Sequence, residues 1–93
     1  MAVLSAEEIS VFLASHSSWK LDGGRLVRDW SYSDFAGAMA FVNRIADLAE
    51  SKNHHPDIDI RYNKVRLALI SHDAGGLTKR DIGMAAAIDE QFG

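Results

Sequence analysis

The sequence predicts an α+β domain in which three helices cover one face of a four-stranded antiparallel sheet, in the order α-β-β-α-β-β-α. Three observations lead to this prediction. Apolar residues recur at helical spacing in three segments, each preceded by a residue that can cap a helix. Apolar and polar residues alternate in two short segments that a tight turn joins. A glycine pair separates two further segments of strand type.

Length and composition describe a single domain spanning residues 1–93. The chain is 47% hydrophobic and 25% charged, which is ordinary for a globular protein. Its net charge of −3 argues against a broad nucleic-acid surface, which usually needs a basic face. The chain has no cysteine, no start typical of a signal peptide and no run of ~20 apolar residues. We therefore expect a cytoplasmic protein without a membrane segment.

The first helix is predicted over residues 4–15, where Ser5 and Glu8 have the spacing of a capping box. Two strands should follow at 19–21 and 25–31. They are joined by "DGG", whose glycines supply the positive φ of a tight hairpin.

The second helix is predicted over residues 34–50, with Ser33 or Asp34 as its cap. Phe41 and Leu48 fall off its apolar stripe. They are either two partly exposed residues or part of a subunit interface. The predicted core stripe consists of Phe35, Ala38, Met39, Val42, Ile45, Ala46 and Ala49.

The second hairpin is predicted from strands at 57–62 and 65–70, with Asn63-Lys64 as its turn. The last helix should run over 79–91, capped by Thr78 with Asp81 three residues on. Its core-facing residues are expected to be Met84, Ala85, Ile88 and Phe92.

This hairpin predicts that distant histidines meet. With Asn63-Lys64 as the loop, the register carried outward sets His55 opposite His72. Directly opposed residues have Cβ atoms about 4.5–5.5 Å apart. His54 is adjacent along the chain, and Pro56 suits the start of a strand.

Three imidazoles at one place suit acid–base chemistry near neutral pH, because the pKa of an unperturbed histidine is about 6.5. One neutral ring can accept a proton while a charged ring donates one. Two alternatives remain open from these residues. The histidines could hold a zinc ion, although adjacent histidines rarely reach the same ion, or they could simply occupy a loop.

The chain resembles the pterin-4a-carbinolamine dehydratases. The pattern of that family is a charged residue, three spacers, His, His or Asn and Pro. Five or six spacers then lead to an aromatic residue, nine more to a His, and eight or more to an Asp. In this sequence the matching residues are Glu50, His54, His55, Pro56, Tyr62, His72 and Asp81.

The resemblance implies a dehydratase that converts 4a-hydroxytetrahydropterin to quinonoid dihydropterin and water, without a metal or cofactor. It implies a functional link to aromatic amino-acid hydroxylases, which release that pterin. The expected catalytic residues are His54, His55 and His72, with His54 as the principal acid–base group. The expected substrate-binding residues are Glu50, Asn53, Pro56, Ser71, Asp73 and Asp81.

Two departures from common members could alter rate or preference. Ile58 stands where many members carry an aromatic residue, and Asn53 stands where an aspartate is frequent. The family also implies a homodimer or a dimer of dimers. Alternative functions are a dimerisation module or assembly factor of the same fold, and a small metal-dependent hydrolase.

Overall fold

The computed structural model describes residues 2–93, which form three helices and one four-stranded sheet in the predicted order. The strands are antiparallel throughout, and their spatial order is β1-β2-β4-β3. The elements are α1 (Ala6–Ser15), β1 (Lys20–Asp22), β2 (Arg25–Ser31), α2 (Phe35–Lys52), β3 (Asp57–Arg61), β4 (Lys64–Leu69) and α3 (Lys79–Phe92).

Local signals place the helix starts where the sequence predicts them. A capping box of Ser5 with Glu8 opens α1, and one of Thr78 with Asp81 opens α3. The side chain of Asp34 accepts a hydrogen bond from the N–H of Gly37 at 2.8 Å and caps α2. These contacts satisfy backbone donors that have no partner within their own helix.

The second hairpin differs from its predicted register by two residues. Ile60 faces Val65 and Ile58 faces Leu67, so the turn is Tyr62-Asn63 and not Asn63-Lys64. Tyr62 has a φ of 53°, a left-handed conformation that a tyrosine rarely adopts. Because side chains alternate with a period of two, a shift of two residues leaves every apolar residue on the same face. The alternation therefore could not distinguish the two registers.

The register error also removes the predicted pairing of His55 with His72. β3 begins at Asp57 and β4 ends at Leu69, so neither histidine lies in a strand. The segment after β4 instead forms a turn, closed by an isolated bridge between Ser71 and Gly76.

The core lies between the sheet and the helices. Phe41 is a core residue, only 4% exposed, and its ring contacts those of Trp30, Tyr32 and Phe92. Phe35, predicted to be buried, is 50% exposed. Ala38, Ile45 and Ala49 are buried as predicted, and Phe41 is buried with them. The buried stripe of α2 is therefore shifted from the predicted one toward Phe41, and only part of the prediction is wrong. The sheet contributes the fully buried Leu26, Leu67 and Leu69 to this core, and the helices contribute Ile45, Met84 and Ile88.

A buried polar cluster anchors the end of α3 to the sheet, and sequence patterns did not predict it. Arg28 of β2 is 8% exposed and donates hydrogen bonds to Asp89 and to the carbonyl of Gly93. Trp19 donates to the same Asp89 carboxylate at 2.7 Å. Because Arg28 occupies an inward position of β2, its charge needs these partners.

The sheet face turned away from the helices carries charged residues. Arg66 forms a bidentate pair with Asp29, at 2.8 and 3.1 Å. Among the described residues, no helix combines the length and apolarity needed to cross a bilayer.

Candidate active site

Two histidines lie where the chain leaves α2 for β3. The helix ends at Lys52, and Asn53 adopts a left-handed conformation with a φ of 51°. The N–H of His54 donates to the carbonyl of Ala49 at 3.2 Å, which holds His54 against the end of the helix. Pro56 is buried just before β3 starts. His54 and His55 are thus fixed by a helix end on one side and a strand start on the other.

His54 is paired with a buried carboxylate. Its Nε2 lies 2.6 Å from Oδ1 of Asp81, which has no exposed surface, while the His54 side chain is 12% exposed. The other oxygen of Asp81, Oδ2, accepts the hydroxyl of Ser71 at 2.8 Å and the N–H of Thr78 at 2.9 Å. Asp81 therefore joins the loop after α2, the turn after β4 and the first turn of α3.

His72 lies directly after Ser71, at the surface of a tight turn. The carbonyl of Ser71 accepts hydrogen bonds from the N–H groups of Ala74 and Gly75, at 3.1 and 3.0 Å. Gly75 has a φ of 75°, which glycine adopts without steric cost. Since Ser71 binds Asp81 and Asp81 binds His54, a continuous path of hydrogen bonds joins the His72 turn to His54.

His55 is paired with Glu50, the charged residue at the start of the motif. The His55 Nε2 lies 2.5 Å from Glu50 Oε2, and both side chains are exposed, at 57% and 77%. The carboxylate can orient the ring, but water reaches both groups and weakens their attraction. His55 and His54 therefore differ in setting, because only His54 has a buried carboxylate partner.

Asp73, which follows His72, is paired with Arg80. The Arg80 guanidinium lies 2.6 Å from Asp73 Oδ1, and its hydrogen bond holds the pKa of Asp73 below the usual value. Nε of Arg80 is buried and has no hydrogen-bond partner within residues 2–93. No sequence motif selects Arg80. Its position beside Asp81 in the first turn of α3 was the one available signal.

The predicted site residues thus fall into connected groups. His54, Ser71 and Asp81 share one buried network, Glu50 contacts His55, and His72 and Asp73 lie in the adjoining turn. Within residues 2–93, no three His, Cys, Asp or Glu side chains lie close enough together to hold a metal ion. The two histidines that have polar side-chain partners here each bind a carboxylate: His54 binds Asp81, and His55 binds Glu50.

Comparison with known proteins identifies the family of this chain. The model of the family described as Pterin 4 alpha carbinolamine dehydratase matches residues 2–91. The chain belongs to this family.

Relatives match over all or nearly all of their length. A protein of Chloroflexus aurantiacus is 54% identical over 93 residues, which is 100% of both chains. One of Acidobacterium capsulatum is 55% identical over 89 residues, covering 96% of this chain and 97% of that protein. Both are provisionally named as pterin-4-alpha-carbinolamine dehydratases.

Solved structures of the dehydratase family share the fold. The crystal structure of a transcriptional coactivator/pterin dehydratase from Brucella melitensis matches with a TM-score of 0.89 at 31% identity, covering 99% of this chain and 100% of that one. A pterin dehydratase-like protein identified as a RuBisCO assembly factor in the alpha-carboxysome matches with a TM-score of 0.66 at 25% identity, covering 82% and 90%. Relatives of this fold thus carry names with more than one role.

Proposed function

We propose that this member of the dehydratase family converts 4a-hydroxytetrahydropterin to quinonoid dihydropterin and water by histidine acid–base catalysis. In this reaction a proton leaves N5, a double bond forms between C4a and N5, and the protonated hydroxyl departs from C4a as water. The reaction therefore needs one group that accepts a proton and one that donates a proton. No redox change occurs, so the proposal requires no cofactor.

The observation that supports this function most strongly is the pair formed by His54 and the fully buried Asp81. A carboxylate on one ring nitrogen orients the imidazole and leaves the other nitrogen available for proton transfer. We assign His54 as the principal acid–base group on this basis. His55 and His72 are then the groups that position the pterin and protonate or stabilise the departing hydroxyl.

The remaining site residues divide by exposure. Asp81 and Ser71 are at most 1% exposed, so we assign them to the support of His54 and not to direct contact with the pterin. Asn53 is exposed and Glu50 is held by His55, which leaves both at the surface where substrate would bind. Pro56 is buried between His55 and the start of β3, so we assign it to fixing the path of the chain beside the site. Asp73 stabilises the turn after β4 through its ion pair with Arg80.

The substrate class implies a place in a reaction sequence. An aromatic amino-acid hydroxylase releases the 4a-hydroxylated pterin, and a separate reductase would consume the quinonoid product. This chain would recycle the pterin between the two.

A second role in protein interaction is supported by an exposed edge of the sheet. β3 is an edge strand, and its Ile58 is 38% exposed. Unpaired edge strands can extend a sheet across subunits, so we propose a homodimer or a dimer of dimers. The names of the two solved relatives, as coactivator and as assembly factor, support a role beyond catalysis. The presence of all three histidines favours catalysis over a purely scaffolding role, because a scaffold alone does not need them.

The decisive experiment follows the decay of the 4a-carbinolamine by absorbance with and without protein at neutral pH. We expect His54→Ala to lower kcat by on the order of 10²-fold. His16→Ala is the matched control, because His16 stacks on Phe12 of α1 and contacts none of the site residues.

Three outcomes separate the possibilities. A wild-type protein that does not accelerate the decay is not a dehydratase of this pterin. A near-normal rate for His54→Ala would move the principal role to His55 or His72, which single alanine variants would distinguish. Loss of activity on chelation, with its return on adding zinc, would replace this mechanism by a metal-dependent one.

A further inference from the structure

The capping box of α3 does more than begin a helix. The N–H of Thr78 donates to Asp81 Oδ2 at 2.9 Å, as a capping box requires. The same Oδ2 accepts the Ser71 hydroxyl at 2.8 Å, and the other oxygen of Asp81 contacts His54. One carboxylate therefore caps the helix and also holds the histidine to which we assign catalysis.

The capping box of α1 provides an internal comparison. The Ser5 N–H donates to Glu8 Oε1 at 2.9 Å, and the Glu8 N–H donates to Ser5 Oγ at 3.1 Å. Both residues are exposed, whereas Thr78 and Asp81 have no exposed surface. The same local motif is thus a simple cap in α1 and part of a buried network in α3.

The positions of the hydroxyl protons follow from the available donors and acceptors. Thr78 Oγ1 accepts the N–H of Arg80 at 3.2 Å, which leaves its own proton free to point at Ser71 Oγ, 2.9 Å away. Ser71 then donates its proton to Asp81 Oδ2. The hydroxyl of Thr78 therefore donates to Ser71, and the hydroxyl of Ser71 donates to the Asp81 carboxylate.

The hydrogen bonds at Asp81 determine which ring nitrogen of a neutral His54 carries the proton. Oδ2 of Asp81 already accepts two hydrogen bonds, which is the bonding pattern of an ionised carboxylate. The remaining oxygen, Oδ1, must then accept a hydrogen bond from His54 and cannot donate one. A neutral His54 consequently carries its proton on Nε2, and its free lone pair lies on Nδ1.

We propose that Thr78 and Ser71 are positioning residues that fix the tautomer of His54, so that Nδ1 is the nitrogen that exchanges a proton with the pterin. The catalytic part of this inference rests on the proposed dehydratase function. The tautomer itself does not, because it follows from the hydrogen bonds of the protein alone.

The tautomer can be measured without substrate. Long-range ¹H–¹⁵N spectra of the ¹⁵N-labelled full chain distinguish a ring protonated on Nε2 from one protonated on Nδ1. We expect wild-type His54 to be protonated on Nε2 at a pH where the ring is neutral. We expect Thr78→Val and Ser71→Ala to show a mixture of tautomers, because each removes a hydroxyl contact that holds the Asp81 carboxylate in place against His54. A wild-type His54 protonated on Nδ1 would overturn the inference.

Activity measurements test the positioning role. We expect Thr78→Val and Ser71→Ala to lower kcat by on the order of tenfold with little change in KM, since neither side chain reaches the substrate. Thr78→Ser retains the hydroxyl and should restore the wild-type tautomer and most of the lost kcat. Ser5→Ala is the matched control, because it removes the cap of α1 and leaves Asp81 untouched.

The combined results separate the two proposals. If the wild type lacks dehydratase activity but shows the expected tautomers, the proposed function fails and the network stands. If the wild type is active and both variants retain its spectra and its kcat, the network does not position His54. Ser71→Ala keeps the cap of α3, so it decides the question even if Thr78→Val does not fold.

Discussion

Replacing Phe41 with alanine should remove a large part of the stability of this domain. The ring is 4% exposed and lies among three other aromatic rings, with centroids 4.7 Å away in Trp30, 5.4 Å in Tyr32 and 5.2 Å in Phe92. Truncating a buried phenylalanine typically costs about 3–5 kcal/mol, because burial is lost and a cavity remains. At roughly 0.05–0.15 kcal/mol per residue, a domain of this size has only about 5–14 kcal/mol to lose.

Phe35 of the same helix provides the control. Its side chain is 50% exposed, so Phe35→Ala should change the free energy of unfolding by no more than about 0.5 kcal/mol. The two variants remove the same atoms from one helix. Any difference between them therefore measures the burial of Phe41.

Urea denaturation followed by far-UV circular dichroism measures this difference. Circular dichroism is preferable to fluorescence, because Trp30 contacts Phe41 and its emission would change with the substitution itself. With a urea m value of about 1–1.5 kcal/mol per M, the midpoint of Phe41→Ala should fall by about 2–5 M.

Equal midpoints for the two variants would refute the placement of Phe41 in the core. The measurement should be repeated at two protein concentrations. If Phe41 instead covered a subunit interface, its loss would change the dependence of the midpoint on concentration, and the mass in light scattering would fall.

Three further predictions follow from the sheet. The hydrogen bonds from Arg66 lower the pKa of Asp29 below its usual 3.8, so their stabilisation is present above that pH and is lost as the pH falls through the lowered value. Asp29→Asn should therefore reduce Tm at pH 7, and the difference from wild type should vanish at strongly acidic pH. A difference that grows on acidification would contradict this. Tyr62→Gly should raise the free energy of unfolding by up to about 1 kcal/mol, because glycine adopts the left-handed φ of this position without steric strain. Tyr62→Ala keeps that strain and should not raise it, and calorimetry of the two variants measures the difference. Ile58→Lys should lower the mass in light scattering if β3 forms the subunit interface, and an unchanged oligomer would exclude that edge.

Local chemistry was sufficient to predict the elements of this fold. The capping boxes of Ser5 and Thr78 involve residues three apart, so their spacing is visible in the sequence. The glycines of "DGG" likewise place the first hairpin, and both have positive φ. The order and type of all seven elements followed from such signals, with boundaries that differed from the structure by no more than two residues.

Two features were decided by tertiary structure alone. The alternation of apolar residues in β3 and β4 has a period of two and fits both possible registers equally well, so the left-handed Tyr62 could not be predicted. The apolar residues of α2 also allow two adjacent stripes. Packing against Trp30 and Phe92 selects the one that buries Phe41 and exposes Phe35.

The candidate site shows the same division. The motif selected the residues of the candidate site, including Asp81, which also has the spacing of a helix cap. It did not reveal that Asp81 contacts His54, because these residues are 27 positions apart and meet only when α3 packs beside the end of α2. Sequence alone thus determined which chemical groups are present and where the local structure begins. Their pairing depends on contacts between distant segments, which only the folded chain brings within hydrogen-bond distance.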